Sequence, residues 1–214
     1  MLLRVNGLKN LKINKKKFIY LISPIKINKS FYQNLTKVLE KKKVSFFQLR
    51  LKKESLKKKL MIGEKIKRIC KKFNVKFLVN DDAYIAKKLN ADGCHLGQKD
   101  MNIIQARKLI GNKIIGVTCH NSLKLTKIAL KNKADYIALG AFNNSKTKKI
   151  NYIASTNLLR KVKKITKTPV VAVGGINSDN YKKLLLNKAN FLAISGYIWN
   201  NKKLKPSEAI KKLK

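Results

Sequence analysis

The sequence predicts a single α/β domain over residues 1–214 with the TIM (β/α)8-barrel fold. Three observations indicate this fold. Eight short apolar segments alternate with lysine-rich segments of helical periodicity. The length of 214 residues suits a compact barrel of eight strand–helix units. Hydrophobic residues make up 44% of the chain, which is enough for one sizeable core and argues against general disorder.

The eight apolar segments have the length and composition of buried strands. Runs such as IIGVTC and VVAVGG are apolar almost throughout, which is typical of parallel strands covered on both faces. Segments between them, such as FYQNLTKVLEKKK, repeat apolar residues at intervals of three and four and place lysines on the opposite face. The predicted strands are residues 18–23, 45–50, 75–80, 93–97, 113–119, 136–142, 169–175 and 191–195.

Polar residues cluster where the predicted strands end. They occupy residues 48–50, 80–82, 118–120 and 174–177. The carboxyl ends of the strands form the catalytic rim of a TIM barrel, so these residues indicate an active site. A doubly wound open sheet is the alternative fold. The number of units and the position of the polar residues favour the barrel.

Composition also bears on the location of the protein. No apolar run reaches the roughly 18 residues of a membrane span, and the amino-terminal segment lacks the pattern of a signal peptide. We therefore expect a cytoplasmic enzyme without membrane partners. Cys70, Cys94 and Cys119 are widely spaced, which favours three small buried side chains over a zinc site or a disulfide framework.

The formal net charge of +41 is the most unusual compositional feature. It is compatible with binding of polyanions. However, only five of the 51 basic residues are arginine, the residue that recognises bases and phosphates as a fork. The lysines are also spread evenly and lack interleaved aromatic residues. The pattern favours compositional bias, with only nonspecific attraction to nucleic acid.

Four of the ten acidic residues lie within twenty positions: Asp81, Asp82, Asp92 and Asp100. Asp81 and Asp100 follow adjacent strands, so both can reach the same rim. Two carboxylates there suit Mg²⁺, which completes its shell with waters and substrate phosphate. Helix capping by Asp82 and a surface position for Asp100 explain the pattern equally well. Asp92, in an Ala-Asp-Gly turn, is interpreted as structural.

Other strand ends offer groups for phosphate binding. Gln48, Arg50 and Lys52 alternate, so they share one face of an extended segment and suit a pyrophosphate. Gly174-Gly175 and Ser195-Gly196 end the last two strands, where TIM barrels often bind phosphate on backbone N–H groups. Helix-capping turns are the alternative for the glycines.

Two histidines occur near strand ends. His120 follows the run GVTC, and His95 lies within CHLG. A lone histidine is more often structural than functional, and the position of His120 makes it the stronger functional candidate.

Taken together, these segments resemble the thiamine-phosphate synthases. The run FLVNDDAYIAKKLNADGCHLGQKD resembles their signature, and QLRLK, GVTCHN, ADYIALGAF, SKTKK and VVAVGGI occur in the order of that family. The resemblance covers residues 18–198 and extends to the related TenI-type thiazole tautomerases. It implies a TIM barrel that joins hydroxymethylpyrimidine diphosphate to thiazole phosphate and releases pyrophosphate.

The resemblance also implies roles for individual residues. Asp81 and Asp100 would bind Mg²⁺, and Arg50, Lys148 and Thr118 would be catalytic. The implied substrate-binding residues are Gln48 and Thr118 for the pyrimidine, Arg50, Lys52, Asn80 and Lys148 for the diphosphate, and Ser145, Thr147, Gly175, Ser195 and Gly196 for the thiazole phosphate.

Several positions depart from the family pattern. Asp82 stands where the family usually has arginine, and Thr118 replaces a serine. The loop Asn144-Ser145-Lys146-Thr147-Lys148 lacks the usual proline, and the expected serine of the last strand falls at Gly196. These changes concern substrate affinity. The alternatives to the synthase are a metal-independent tautomerase using His120 and a nonenzymatic polyanion-binding barrel. The sequence leaves open whether the chain forms homo-oligomers.

Overall fold

The computed structural model describes residues 17–144 and 152–214 and confirms the predicted TIM barrel. Eight parallel strands close into a ring in which each strand pairs with the next along the chain. The last strand closes the ring on the first, with Leu21 opposite Ile194. The strands are β1 (Ile19–Ile22), β2 (Val44–Leu49), β3 (Lys76–Asn80), β4 (Gly93–Leu96), β5 (Ile114–His120), β6 (Tyr136–Gly140), β7 (Val170–Val173) and β8 (Phe191–Ile194).

The helices pack around the barrel with their apolar stripes inward. Five of the described helices begin at a side chain that accepts a hydrogen bond from the third helical N–H: Asn28, Ser55, Asp82, Asn102 and Ser122. The helices are α1 (Lys29–Leu39), α2 (Leu56–Lys72), α3 (Ala83–Lys88), α4 (Ile103–Ile110), α5 (Leu123–Lys131), α6 (Thr156–Ile165), α7 (Tyr181–Leu186), α8 (Gly196–Trp199) and α9 (Pro206–Lys211).

Alternate strand residues divide the apolar side chains into two layers. The larger layer fills the space between the strands and the helices. The smaller one fills the barrel interior, where the rings of Tyr20, Phe46, Tyr136 and Phe191 contact one another. These rings close the barrel below the carboxyl ends of the strands, so they form the floor of the catalytic rim.

The observed strand bounds differ from the predicted ones by one or two residues. For example, β6 ends at Gly140 rather than at residue 142. After Gly140 the Ala141 N–H donates to the carbonyl of Tyr152, outside the sheet. The apolar sequence Gly140-Ala141-Phe142 continues past this point, which is why composition alone placed the end later.

Three side chains at the opposite, amino-terminal end of the barrel cap backbone N–H groups. Asp92 accepts from the N–H of Phe77 (2.9 Å), Asp135 from that of Ile115 (2.8 Å), and Asn190 from that of Val170 (2.9 Å). Each residue lies directly before one strand and accepts a hydrogen bond from the previous strand in the chain. It therefore joins two neighbouring strands at the end of the barrel opposite the catalytic rim. They are structural.

The remaining compositional predictions can be compared with the described residues. Cys70, Cys94 and Cys119 are free and buried, as predicted. No helix within the described ranges is long and apolar enough to cross a membrane.

Candidate functional site

Asp81 and Asp100 come together at the carboxyl ends of β3 and β4. Asp81 has a left-handed backbone (φ +66°), and its N–H donates to the carbonyl of His95 at 2.7 Å. Asp100 accepts a 2.6 Å hydrogen bond from the N–H of Gly97 through Oδ2. A left-handed conformation is uncommon for a residue other than glycine, although aspartate tolerates it better than most. Here it turns the chain out of the strand at the rim.

The two carboxylates influence each other electrostatically. Burial raises the pKa of Asp100, and the neighbouring carboxylate of Asp81 raises it further. Lys52 partly offsets this repulsion because its Nζ lies 3.1 Å from Oδ2 of Asp81. The lysine side chain is 57% exposed, so the pair is accessible to solvent and to ligands. The arrangement is a concentration of negative charge that a cation would stabilise.

This pair provides two carboxylates, and in the described part of the chain no third acidic, histidine or cysteine ligand joins them. Within residues 17–144 and 152–214 there is no group of three or more such side chains able to hold a metal. Two carboxylates suit Mg²⁺, which retains waters and takes substrate oxygens. They do not suit a structural zinc site, which needs four protein ligands.

A cavity of about 250 Å³ opens beside the carboxylate pair. Its polar wall includes Lys52, Lys59 and Asn80 next to Asp81. The two lysines and the amide offer donors to an anion at the edge of the acidic site. The sequence predicted Lys52 and Asn80 there. It did not indicate Lys59, because one lysine in a lysine-rich helix carries no distinguishing signal.

The rim near β1, β2 and β8 is held together by hydroxyl groups. The N–H of Arg50 donates to Oγ of Ser23 at 2.9 Å. Oγ of Ser195 donates to the carbonyl of Ser23 at 3.1 Å. These bonds fix the backbone from which the Arg50 side chain leaves β2. The hydroxyl of Ser195 is thereby engaged with the protein.

The predicted thiazole-phosphate residues of the last two strands lie at the same rim. Gly175 follows β7 with φ +58°, and a Cβ there would collide with the carbonyl of Asn144. Glycine is therefore required for the close approach of the loops after β6 and β7. Gly196 is the first residue of α8, directly after β8 and Ser195.

Thr118 belongs to a line of hydrogen-bonded side chains inside the barrel. Its Oγ1 lies 2.8 Å from Nε2 of His95, and Nδ1 of His95 lies 2.9 Å from the hydroxyl of Tyr136. The Tyr136 hydroxyl lies 2.8 Å from that of Tyr20. Gln48 is buried near Tyr20 at the other end of this line, close enough to influence the pKa of that phenol. The hydrogen bonds therefore extend from Thr118 at the rim through the barrel interior to Tyr20.

His95 is neutral under ordinary conditions. Burial lowers its pKa to about 4, against a smaller opposite effect of the Asp81 carboxylate. Burial also raises the pKa of Tyr20 and of Tyr136, so both phenols keep their protons. The sequence ranked His120 above His95, but the structure places His95 against Thr118. His120 ends β5 with φ +50°, its ring 4.7 Å from that of Tyr152.

His95, Tyr20 and Tyr136 were not among the predicted site residues. The available signal was their alternation along the strands with outward-facing residues. Tyr20 and Tyr136 belong to the interior cluster, and His95 hydrogen-bonds Tyr136 there. This alternation alone does not say that three side chains from different strands meet. Closure of the barrel brings them together.

The other two aspartates of the acidic stretch have structural roles. Oδ1 of Asp82 accepts from the N–H of Ile85 at 2.9 Å and caps α3. Asp92 pairs with Lys76 at 2.8 Å at the opposite end of the barrel. This confirms the structural interpretation of Asp92, and helix capping explains Asp82. Ser145, Thr147 and Lys148 lie outside the described residues.

Comparisons with known proteins identify the family. The family model described as thiamine monophosphate synthase matches residues 19–198. The chain is 66% identical to the thiamine-phosphate synthase of Pelagibacter ubique over 208 residues, covering 97% of this chain and all of that protein. It is 40% identical to the thiamine-phosphate synthase of Erythrobacter litoralis over 187 residues, covering 85% of this chain and 88% of that protein.

A solved structure is also similar to this chain. The thiamine phosphate pyrophosphorylase from Pyrococcus furiosus superposes with a TM-score of 0.82 at 27% identity, covering 92% of this chain and 94% of that one. The superposition covers nearly the whole of both chains. The chain therefore belongs to the thiamine monophosphate synthase family and is an enzyme of the transferase class.

Proposed function

We propose that the chain catalyses a Mg²⁺-dependent transfer of the hydroxymethylpyrimidine group from its diphosphate to thiazole phosphate. The bond between the pyrimidine methylene carbon and the diphosphate oxygen breaks, and the thiazole nitrogen forms a new bond to that carbon. The products are thiamine phosphate and pyrophosphate. The observation that carries this proposal is the juxtaposition of Asp81, Asp100 and Lys52 above a buried Gln48 and a rim-facing Thr118.

Asp81 and Asp100 would hold the metal. Burial raises the pKa of Asp100 and repulsion from Asp81 adds to it, which supports this assignment because a divalent cation would favour both ionised carboxylates. When bound, Mg²⁺ would supply positive charge to the departing pyrophosphate. The pair leaves coordination positions for water and diphosphate oxygens.

Cationic side chains around the acidic pair would hold the diphosphate. Lys52 lies at the cavity beside Asn80, and Arg50 leaves the end of β2 on a backbone fixed by Ser23. Arginine binds pyrophosphate oxygens as a fork, and lysine adds a point charge. Lys148 would join them from the segment outside the described residues. Stabilising the leaving group and positioning the two substrates would supply most of the rate.

The pyrimidine would lie over the aromatic floor, between Gln48 and Thr118. The amino group of the ring can donate electrons to the methylene carbon as the C–O bond breaks, so a strong general base is not required. The thiazole phosphate would lie across the barrel, against backbone groups of Gly175, Ser195 and Gly196 and against Ser145 and Thr147. Gly175 supports this placement, because it has a left-handed backbone (φ +58°) and no side chain that would cover the backbone groups at the rim.

The proposed substrates are small soluble phosphates, and we expect the chain to work in the cytoplasm. Nonspecific attraction to nucleic acid and formation of a homo-oligomer stay predictions.

Pyrophosphate release by the purified protein tests the proposal. With both substrates and Mg²⁺, we expect pyrophosphate release that stops on addition of a chelator and resumes with excess Mg²⁺. Asp81→Asn should reduce kcat/KM by roughly 100-fold or more. Asp82→Asn is a matched control, because it removes the neighbouring charge and keeps a helix-capping side chain. Turnover of the thiazole alone, unaffected by chelator, would instead identify a tautomerase.

A further inference from the structure

The turn that carries Asp100 is joined to the neighbouring strand by the side chain of Gln98. Residues 97–100 follow β4, and we call them the Asp100 turn. Within it, Oδ2 of Asp100 accepts a hydrogen bond from the N–H of Gly97 at 2.6 Å. A Cβ at residue 97 would lie 3.0 Å from that oxygen, so glycine allows the carboxylate to fold back against the turn.

Gln98 extends from the Asp100 turn to β5. The ladder between β4 and β5 ends with Leu96 opposite Val117. One residue further along β5, Nε2 of Gln98 donates a hydrogen bond to the backbone carbonyl of Thr118. The side chain therefore continues the attachment to β5 after β4 itself has ended. It joins the turn of a proposed metal ligand to the backbone of a proposed pyrimidine-binding residue.

Packing alone leaves the Asp100 turn room to move. A cavity of about 140 Å³ adjoins the turn on the side of α5. Its lining includes Gln98 and Asp100 from the turn and Leu125 and Ile128 from α5. A segment beside a cavity makes fewer van der Waals contacts than one in a filled core. A directed hydrogen bond therefore contributes more to fixing the position of this turn.

Electrostatic repulsion favours a movement of the Asp100 turn away from Asp81. The two carboxylates repel each other, and a larger separation would lower that repulsion. Asp81 is attached to β4, because its N–H donates to the carbonyl of His95 at 2.7 Å. The turn beside the cavity is therefore the more mobile side of the pair. The hydrogen bond from Gln98 opposes its movement.

We propose that Gln98 is a positioning residue that holds the carboxylate of Asp100 close enough to Asp81 for both to bind one divalent cation. This deepens the proposed function and rests on its metal site. Gln98 acts through the backbone of the turn and contacts neither the metal nor a substrate. Removing a side chain that orients metal ligands weakens metal binding by about 10- to 100-fold. Gln98 is exposed, so the lower end of that range is expected.

Direct binding of Mn²⁺, measured by electron paramagnetic resonance, tests the proposal without turnover. Mn²⁺ is suited by the same carboxylate and water ligands as Mg²⁺. Gln98→Met has a side chain of similar length without an N–H group, so it removes the hydrogen bond to Thr118. We expect the dissociation constant of Mn²⁺ to rise about 10-fold. The thermal unfolding temperature should stay close to that of the wild type, and a large fall would overturn the proposal in favour of a purely structural role.

Two further variants separate the hydrogen bond from other changes in the turn. Gln98→Asn keeps the amide but is one methylene shorter, so it should weaken Mn²⁺ binding by a similar factor. Lys99→Met is the matched control, because it places methionine at the next, exposed position of the same turn. It should leave the Mn²⁺ affinity unchanged or increase it slightly, since a nearby positive charge is removed. Wild-type affinity in Gln98→Asn would contradict a role for the reach of this side chain.

Steady-state kinetics provide a second readout. In Gln98→Met, the Mg²⁺ concentration that gives half-maximal velocity should rise by about 10-fold. The kcat at saturating Mg²⁺ should remain within about 2-fold of the wild-type value, because the added metal restores the occupied site. A fall in kcat that saturating Mg²⁺ does not restore would overturn a role limited to positioning the metal ligand.

The outcomes distinguish the two proposals. Absence of pyrophosphate release by the wild-type protein would overturn the proposed function, and absence of Mn²⁺ binding by the wild-type protein would overturn both. Pyrophosphate release together with wild-type Mn²⁺ affinity in Gln98→Met would overturn the role of Gln98 and leave the proposed function intact. An equal loss of affinity in Lys99→Met would also overturn it, because any substitution in the turn would then have the same effect.

Discussion

Asp81 and Asp100 at the carboxyl ends of the strands differ from Asp92 and Asp135 at the amino ends in what surrounds their carboxylates. Asp135 is 4% exposed, pairs with Arg107 at 2.6 Å and also accepts from a backbone N–H. Asp92 likewise has Lys76 and a backbone N–H. Asp81 and Asp100 instead lie close together and share the influence of the exposed Lys52.

Asp92 and Asp135 each have a cationic partner of their own, whereas Asp81 and Asp100 are near the same lysine. Each structural aspartate has its own cation and its own N–H, so further ligands gain little there. Asn190 performs the same backbone capping without any charge, which shows that this end needs an acceptor more than an anion. At the rim Asp81 and Asp100 repel each other, and in the proposed function a metal ion would relieve this repulsion. Substitutions at the two ends should therefore affect different properties.

Asp100→Asn should have the largest effect, on activity. The Asn oxygen can still accept from the N–H of Gly97, so the turn is preserved. The charge that repels Asp81 is removed, and because this repulsion raises the pKa of Asp100, the free energy of unfolding should stay the same or increase. We expect kcat/KM to fall roughly 100-fold or more. Steady-state kinetics and urea denaturation measure the two quantities, and a parallel loss of stability and activity would contradict the contrast.

Asp135→Ala should have the next largest effect, on stability. It removes the acceptor of the N–H of Ile115 and of Nη2 of the partly buried Arg107, whose charge then has no carboxylate partner. Breaking such a pair lowers the free energy of unfolding by about 3 kcal/mol or more. Asp92→Ala is the matched control, and its smaller loss of about 1 kcal/mol reflects a more exposed ion pair. The kcat per folded molecule should remain that of the wild type in both. A specific loss of kcat in Asp135→Ala would show that the two ends are not independent.

Substitution of Asp82 should have the smallest effect, on stability. It tests whether two neighbouring aspartates at the rim have different roles. Asp82 lies next to Asp81 but caps α3. Asp82→Ala should lower the free energy of unfolding by about 1 kcal/mol, and Asp82→Ser should restore most of it because serine also caps helices. Thermal and urea denaturation of both variants provide the measurement. If Asp82→Ser failed to restore stability, the role of Asp82 would lie in its charge rather than in its cap.

Much of the fold could be predicted because its causes are local. The eight strand–helix units follow from apolar periodicity, and the rim follows from polar residues at strand ends such as Asn80 and Thr118. Family resemblance then narrowed the acidic stretch to Asp81 and Asp100. The exact strand ends were harder to predict, because the apolar run continues past Gly140, where β6 ends.

The hydrogen-bonded line of Tyr20, Tyr136, His95 and Thr118 could not be predicted in the same way. Tyr20, His95 and Tyr136 are separated in sequence by dozens of residues, and each by itself fits an ordinary core position. Sequence position ranked His120 first because it lies at a strand end. Contact between the side chains of β1, β4 and β6 arises only when the barrel closes and brings non-adjacent strands across the interior.

The sequence by itself determined the alternation of strands and helices, the end of the barrel that carries polar groups, and the family, because these depend on local patterning and on motif order. The tertiary structure decided which aspartates form ion pairs and which side chains form hydrogen bonds inside the barrel. The four aspartates of the acidic stretch have identical side chains but different surroundings. Asp82 caps its own helix, whereas Asp92 pairs with Lys76 of β3, and Asp81 lies beside Lys52 and influences Asp100. The charge around each of these carboxylates depends on residues that the fold brings near, and the distance along the chain does not reveal which residues these are.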